Sequence, residues 1–180
     1  MTALSKVIGI AFLIVAFTAV CSAQTDPHNV PKPPSAELKK FEPLLGKYNL
    51  TSDFAGHKWS GTMEIKPAVR GWYVERILVI KSAEGVDREF RLMITYDQTL
   101  KRYRIWRFET TPPLMKNEGV GRFDGDVFVE EYELDTPDGS KSILRNRTTT
   151  NNNEVRTITE VVDASGKVTP IGITIAKRVK

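Results

Sequence analysis

The amino-acid sequence predicts an all-β fold, an antiparallel barrel of about ten strands with a short N-terminal helix. Apolar and polar residues alternate in short runs from Tyr48 to Ile175, and turn-forming residues separate the runs at regular intervals. No long helical pattern interrupts these runs, which excludes a parallel sheet built from βαβ units. Closure into a barrel hides the sheet edges, so it is favoured over the alternative, a sandwich of two sheets.

The composition is that of a single globular domain. The chain has 180 residues, of which 41% are hydrophobic and 27% charged, a balance that excludes a disordered or fibrous protein. Its formal net charge of +4 is not concentrated in any run of five like charges. The sequence therefore predicts no nucleic-acid partner. It does not indicate an oligomeric state.

Residues 1–23 have the pattern of a secretory signal peptide. Lys6 is the only charged residue before and within an almost wholly apolar run, residues 7–20, and small side chains follow at Cys21-Ser22-Ala23. A membrane-spanning anchor would need about 18 apolar residues, and lipid attachment at Cys21 would be expected after a smaller residue than Val20. We therefore expect cleavage after Ala23, export to the periplasm or the extracellular space, and no stable membrane anchor afterwards.

Cleavage at that point would remove the only cysteine of the chain. Without a thiol, the mature protein can form no disulfide, cysteine nucleophile or thiolate metal site. The two histidines, His28 and His57, have no second histidine or carboxylate at ligand spacing, and no HExxH, GxSxG or P-loop pattern occurs. We therefore predict no metal and no cofactor, and the sequence assigns no catalytic residue.

A Pro-rich tether over residues 24–34 precedes the single folded domain, which is predicted over residues 35–180. Ser35 can cap a short helix, because the apolar residues that follow it share one stripe. That stripe consists of Leu38, Phe41, Leu44 and Leu45. Gly46 ends the helix, and we expect the helix to pack at one mouth of the barrel.

After Gly46 the apolar period changes from that of a helix to that of a strand. Turns are predicted at Ala55-Gly56-His57, Asp124-Gly125, Asp138-Gly139 and Ser165-Gly166, and Pro112-Pro113 breaks the chain after the fifth strand. The predicted strands cover residues 48–54, 59–65, 72–80, 90–96, 104–108, 119–123, 128–134, 143–150, 155–162 and 171–175.

Three stretches carry a resemblance to a known family: PSAELKKFEPLLGKYNL, GTMEIKPAVRGWYVER and YDQTLKRYRIW. The shared positions are Gly46, Tyr48, Pro67, Gly71, Tyr96, Asp97, Lys101, Tyr103 and Trp106. With them, the chain from about Pro34 onward resembles the exported bacterial proteins known as domain of unknown function fifteen seventy-nine. The resemblance implies a lipocalin-like, calycin-type barrel and no established activity. The sequence departs from the family at Tyr48, where tryptophan is more usual, and after Trp106, where an acid is often found.

Three charged residues are spaced by multiples of two from apolar residues of the same strand. They are therefore predicted to share the apolar face of that strand and to point into the barrel. Arg76 shares this face with Val74 and Leu78. Arg104 shares it with Trp106 and Phe108, and Glu130 shares it with Phe128 and Tyr132. Burying a charged side chain is costly unless it forms an ion pair. One interpretation is therefore that these side chains pair with one another. Another is that a bulge or a wrongly assigned strand face places them outside the barrel. The functional alternative is that Arg76 or Arg104 anchors an anionic head group inside an aromatic cavity.

The sequence thus favours an exported barrel that binds a small apolar or amphiphilic molecule, such as a lipophile or an anionic amphiphile. The candidate ligand-binding residues are Trp59, Trp72, Arg76, Tyr96, Arg104, Trp106 and Glu130. The first alternative is a non-catalytic interaction protein of the cell envelope with a filled barrel. The second alternative is an enzyme that acts inside the barrel through acids such as Glu130.

Overall fold

The computed structural model describes residues 32–110, 115–136, 140–151 and 153–180. The predicted signal peptide, most of the predicted tether, the Pro112-Pro113 break and the Asp138-Gly139 turn lie outside these residues. The described residues from Pro33 onward belong to one compact unit, Pro33–Lys180. In the described ranges, no helix has the length and apolar character that crossing a membrane requires.

Ten antiparallel strands form a closed barrel, in the order β1-β10-β9-β8-β7-β6-β5-β4-β3-β2. This confirms the predicted fold and excludes the sandwich. The strands are β1 (Gly46–Phe54), β2 (His57–Ala68), β3 (Tyr73–Ser82), β4 (Asp87–Asp97), β5 (Arg102–Glu109), β6 (Glu118–Asp124), β7 (Val127–Asp135), β8 (Lys141–Asn151), β9 (Glu154–Val162) and β10 (Val168–Arg178).

Strand neighbours follow chain order, and the barrel is closed by the pairing of its first and last strands. Tyr48 in β1 lies opposite Arg178 in β10, and Phe54 lies opposite Gly172. The alternation expected from the sequence is visible in β4, where Leu92 and Ile94 are buried and Arg91 is exposed. Because side chains alternate across a strand, one face of each strand fills the interior while the other meets solvent.

The predicted helix is divided into two short pieces. α1 (Ser35–Leu38) is one α-helical turn, and a 3-10 helix continues over Lys39–Leu44. Pro43 lies in this second piece, where its missing N–H and fixed φ prevent a regular α-helix from extending. Trp72 also differs from prediction, because it follows a 3-10 turn at Val69–Gly71 and β3 begins one residue later.

Both helical pieces cover one end of the barrel, which we call the helix end. The Phe41 ring is buried there, with ring centroids 5.5, 5.2 and 4.7 Å from those of Tyr103, Phe123 and Phe128. The Tyr103 hydroxyl donates to the Glu37 carbonyl at 2.9 Å. The opposite end, where β1 finishes and β2 begins, is called the distal end.

Candidate functional site

A cavity of about 210 Å³ lies inside the distal half of the barrel. Side chains from the inner faces of nine strands, all except β6, line it together with Met115. Its volume exceeds what one buried water occupies, and suits a small organic molecule. The aromatic packing around Phe41 occupies the interior at the helix end, and the cavity lies beyond it toward the distal end.

One wall of the cavity is mainly apolar, with Arg76 and Arg88 as its charged residues. It is formed by neighbouring strands β2, β3 and β4, whose inward positions are occupied by Trp59, Met63, Leu78, Ile80, Phe90 and Leu92. Most inward positions of these strands carry large side chains, and the sequence displays this two-residue spacing most clearly there. Apolar groups of a ligand would be removed from water against this wall.

The other wall carries hydroxyl and amide groups. It is formed by β1, β8, β9 and β10, and two of its polar pairs are cross-strand hydrogen bonds. The Thr174 hydroxyl donates to Ser52 Oγ at 2.8 Å, and the Thr159 hydroxyl donates to Asn146 Oδ1 at 2.9 Å. All four side chains line the cavity. Because each bond uses only part of a pair's hydrogen-bonding capacity, this wall can still pair with polar groups of a ligand.

Beneath the cavity lies a buried ion pair between Arg76 on β3 and Glu130 on β7. Arg76 Nη2 is 2.6 Å from Glu130 Oε1 and 2.7 Å from Oε2, and the Tyr132 hydroxyl donates to Oε2 at 3.2 Å. Burial has the largest single effect and lowers the pKa of Arg76, but the charge of Glu130, the Tyr132 phenol and the hydrogen bond to Glu130 together outweigh it, so the net shift is upward. Burial, and next the charge of Glu130, raise the pKa of Tyr132 well above its ordinary value. Arg76 is therefore a cation and Tyr132 a neutral donor.

A second arginine–glutamate pair lies on β5. Arg107 Nη2 is 3.2 Å from Glu109 Oε2, and Arg107 Nη1 donates to Met115 Sδ at 2.7 Å. The guanidinium also stacks over Phe90, with Cζ 4.8 Å from the ring centroid. Burial lowers the pKa of Arg107, with the charge of Glu109 opposing it. Both residues line the cavity.

The third cavity arginine is Arg88, near the start of β4 at the distal end. Its Cζ lies 5.2 Å from the centroid of the Trp59 ring, and its Nε is buried without a hydrogen-bond partner. Arg88 and Arg107 are not among the candidate residues predicted from the sequence. A signal for Arg88 was present, because it shares strand parity with Phe90 and Leu92, which point inward.

The structure places four of the seven candidate residues inside the barrel. Trp59 and Arg76 line the cavity, and Glu130 lies behind Arg76 with no solvent exposure. Tyr96 is also on an inner face, but its ring packs at the helix end, 5.1 Å from that of Tyr103. Tyr96 is therefore not among the side chains that surround the cavity.

The predicted inward orientation of Arg104 and Trp106 is wrong. Tyr103 and Ile105 are buried and Arg107 lines the cavity, so the alternate positions of β5 face outward. Arg104 stacks over Trp106 at 4.9 Å, and its side chain is 43% exposed. The apolar majority at Trp106 and Phe108 suggested the opposite face, because the true inner face carries the paired charges of Arg107 and Glu109.

Trp72 does not line the cavity either. It is half-buried and follows the 3-10 turn before β3, so the parity of that strand does not determine where its side chain points. Its backbone carbonyl accepts a hydrogen bond from the Thr95 hydroxyl at 2.6 Å. Of the three tryptophans in the chain, Trp59 alone lines the described cavity.

Comparison with known proteins yields structural neighbours only. No family model matches the chain, and no curated protein matches it. A crystal structure of Rv2717c from M. tuberculosis has a TM-score of 0.55 and 12% identity, covering 82% of this chain and 98% of that one. A designed fluorescence-activating beta barrel has a TM-score of 0.40 and 14% identity, covering 75% of this chain and 93% of the design. At 12% identity, the similarity to Rv2717c shows a common fold and nothing further.

Proposed function

We propose that the mature protein binds a small amphiphilic molecule inside its barrel. The observation that carries this proposal is the two-sided cavity, with a mainly apolar wall from β2–β4 opposite a hydroxyl-bearing wall from β8–β10 and β1. An apolar wall removes hydrocarbon from water, and a few convergent polar groups orient what is bound. A molecule with one apolar and one polar part satisfies both walls.

The charges inside the barrel favour this proposal over a filled barrel that serves only as a scaffold. Burying an ion pair costs desolvation energy that well-packed apolar side chains would avoid. The cavity region nevertheless contains two such pairs, Arg76–Glu130 and Arg107–Glu109. Charges retained in an interior that apolar residues could fill are typical of binding sites.

The enzyme alternative depended on Glu130, and the contacts of this residue do not favour it. Both carboxylate oxygens lie within 2.7 Å of Arg76 Nη2, and Tyr132 donates to one of them. A general base needs a free oxygen within reach of a substrate proton. Glu130 has 0% exposure and lies behind Arg76, so it does not offer one to a molecule in the cavity.

Trp59 provides a direct test of binding. Titration with octanoate and with 1-octanol should change the tryptophan fluorescence of the wild-type protein, because Trp59 lines the cavity. Trp59→Phe should abolish the change, whereas Trp106→Phe, on the outer face of β5, should preserve it. Absence of both a fluorescence change and a calorimetric heat with either compound would refute the proposal.

A further inference from the structure

The charged side chains around the cavity have a net positive charge. Arg76, Arg88 and Arg107 line it, while the described carboxylates beside them are Glu109 in the wall and Glu130 behind Arg76. Arg76 pairs with Glu130 at 2.6 Å, and Arg107 pairs with Glu109 at 3.2 Å. Among the described residues, the cavity therefore holds one positive charge without a balancing carboxylate.

This unbalanced charge is that of Arg88. Its guanidinium forms no ion pair with any described residue, and its buried Nε has no hydrogen-bond partner. Stacking over Trp59 attracts the charge but does not supply acceptors for the N–H donors of the guanidinium. The segment 111–114, which follows β5 in the chain, is Thr-Pro-Pro-Leu and contains no acidic residue.

We infer that the cavity takes a monoanionic amphiphile whose carboxylate pairs with Arg88, an inference that rests on the function proposed above. The forked donors of a guanidinium match the two oxygens of a carboxylate, and such charge-assisted bonds are the strong ones. A single carboxylate brings the charges of the cavity to neutrality. A dianion would leave an excess of negative charge beside Glu109, which lines the same cavity.

The position of Arg88 also gives the bound molecule a direction. Arg88 is the second residue of β4, at the distal end, and Phe90 and Leu92 follow it on the same inner face. The carboxylate would therefore lie toward the distal end, and the hydrocarbon would extend along Phe90 and Leu92 toward the middle of the barrel. Polar substituents on the hydrocarbon would face the hydroxyl-bearing wall.

A comparison of two arginines tests the inference. Arg88 and Arg104 both stack over a tryptophan, at 5.2 and 4.9 Å, but Arg88 lines the cavity and Arg104 lies on the outer face. Arg88→Met keeps much of the apolar stem and removes the charge. Isothermal calorimetry with octanoate and 1-octanol measures affinity without relying on the fluorescence of Trp59, which the variant would itself perturb.

In the wild-type protein, octanoate should bind more tightly than 1-octanol. Arg88→Met should weaken octanoate binding by about tenfold to a hundredfold and leave 1-octanol within about twofold of wild type. Arg104→Met should change neither affinity. If octanoate and 1-octanol bound equally and Arg88→Met left both unchanged, the cavity would still be a binding site and only the monoanion inference would be overturned. If neither compound bound the wild-type protein, the proposed function itself would be lost.

A measurement on the wild-type protein decides the matter if Arg88→Met does not fold. Octanoate labelled with carbon-13 at its carboxyl group reports its own ionisation through its chemical shift. A neighbouring cation favours the carboxylate form, so the pKa of bound octanoate should fall below that of free octanoate. A bound pKa equal to or above the free value would overturn the inference.

Discussion

Glu130 is a fully enclosed carboxylate, at 0% exposure, and its charge is compensated by Arg76 alone among the described basic residues that form ion pairs. We expect Glu130→Gln to destabilise the protein by about 3–5 kcal/mol, because it leaves the buried guanidinium of Arg76 without a counter-charge. Urea unfolding monitored by circular dichroism would measure this loss.

The matched control is Glu118→Gln, which removes a carboxylate from the outer surface. Glu118 lies 3.9 Å from Arg104, and its side chain is 69% exposed. Exposed ion pairs contribute little, so the free energy of unfolding should change by no more than about 0.5 kcal/mol. Equal losses in the two variants would show that burial does not govern the strength of the Arg76–Glu130 pair.

At the residue scale, the sequence correctly predicted the inward-facing charged residues on strands whose apolar face is also the buried face. Arg76 and Glu130 share their strand faces with apolar neighbours, and both side chains lie inside the barrel. On β5 the same reasoning assigned the wrong face to the interior. The outer face of this strand carries aromatic residues and the inner face carries charged ones, which is the reverse of the usual pattern. No sequence pattern shows that Arg107 pairs with Glu109 across that inner face, since the pairing depends on side-chain conformation.

At the scale of elements, the helical segment is held to the barrel by hydroxyl groups as well as by apolar packing. Burial, and then the nearby charge of Glu37, raise the pKa of Tyr103, whose hydroxyl donates to the Glu37 carbonyl at 2.9 Å. A tyrosine in the unfolded chain ionises near pH ~10. The folded state therefore keeps this proton at a pH where the unfolded state has lost it.

The sign of the resulting pH dependence follows from this difference. The contribution of Tyr103 is fully present below the pKa of the unfolded chain and is lost as pH rises through the raised folded pKa. We expect the free energy of unfolding to decrease above about pH 10. Tyr103→Phe should make that decrease shallower, as urea unfolding at a series of alkaline pH values would show. An unchanged slope would mean that the Tyr103 phenol is not coupled to folding.

The glycines of β6 show how one element makes room for another. A Cβ at Gly119 would lie 2.5 Å from Cε1 of Tyr132, and one at Gly121 would lie 2.8 Å from Cζ of Phe128. Both rings belong to β7, and each occupies space that a side chain on β6 would otherwise take. The absence of side chains at these two positions thus permits the close packing of the β7 aromatics.

At the scale of the whole molecule, the ten-strand barrel could be predicted because every strand has one face toward the interior. The alternation of burial is clear in the middle of β2 and β4, and turn residues mark most strand ends. The cavity could not be predicted in the same way. It depends on how inward side chains from nine strands fill the interior together, and no single strand carries that information.

Export is a prediction about the whole chain that rests on residues 1–23 and on the resemblance to an exported family. Protein recovered from its native host should begin at or near Gln24 and carry no acyl chain, because the apolar run ends in small residues typical of a cleavage site. Intact mass spectrometry and N-terminal sequencing would measure both properties. An acylated Cys21, or a retained N terminus in the membrane fraction, would contradict the prediction.

The pairing of β1 with β10 has a consequence for the order in which this protein can fold. Nine of the ten strand pairs join neighbours in the chain, but this one joins the first strand to the last. The chain must therefore close its longest loop to form it, and contacts of this kind slow folding. Until then, β1 and β10 are both open edges able to pair with another molecule. The protein is thus most prone to aggregate before β1 pairs with β10. Once that pairing has formed, neither strand is an open edge.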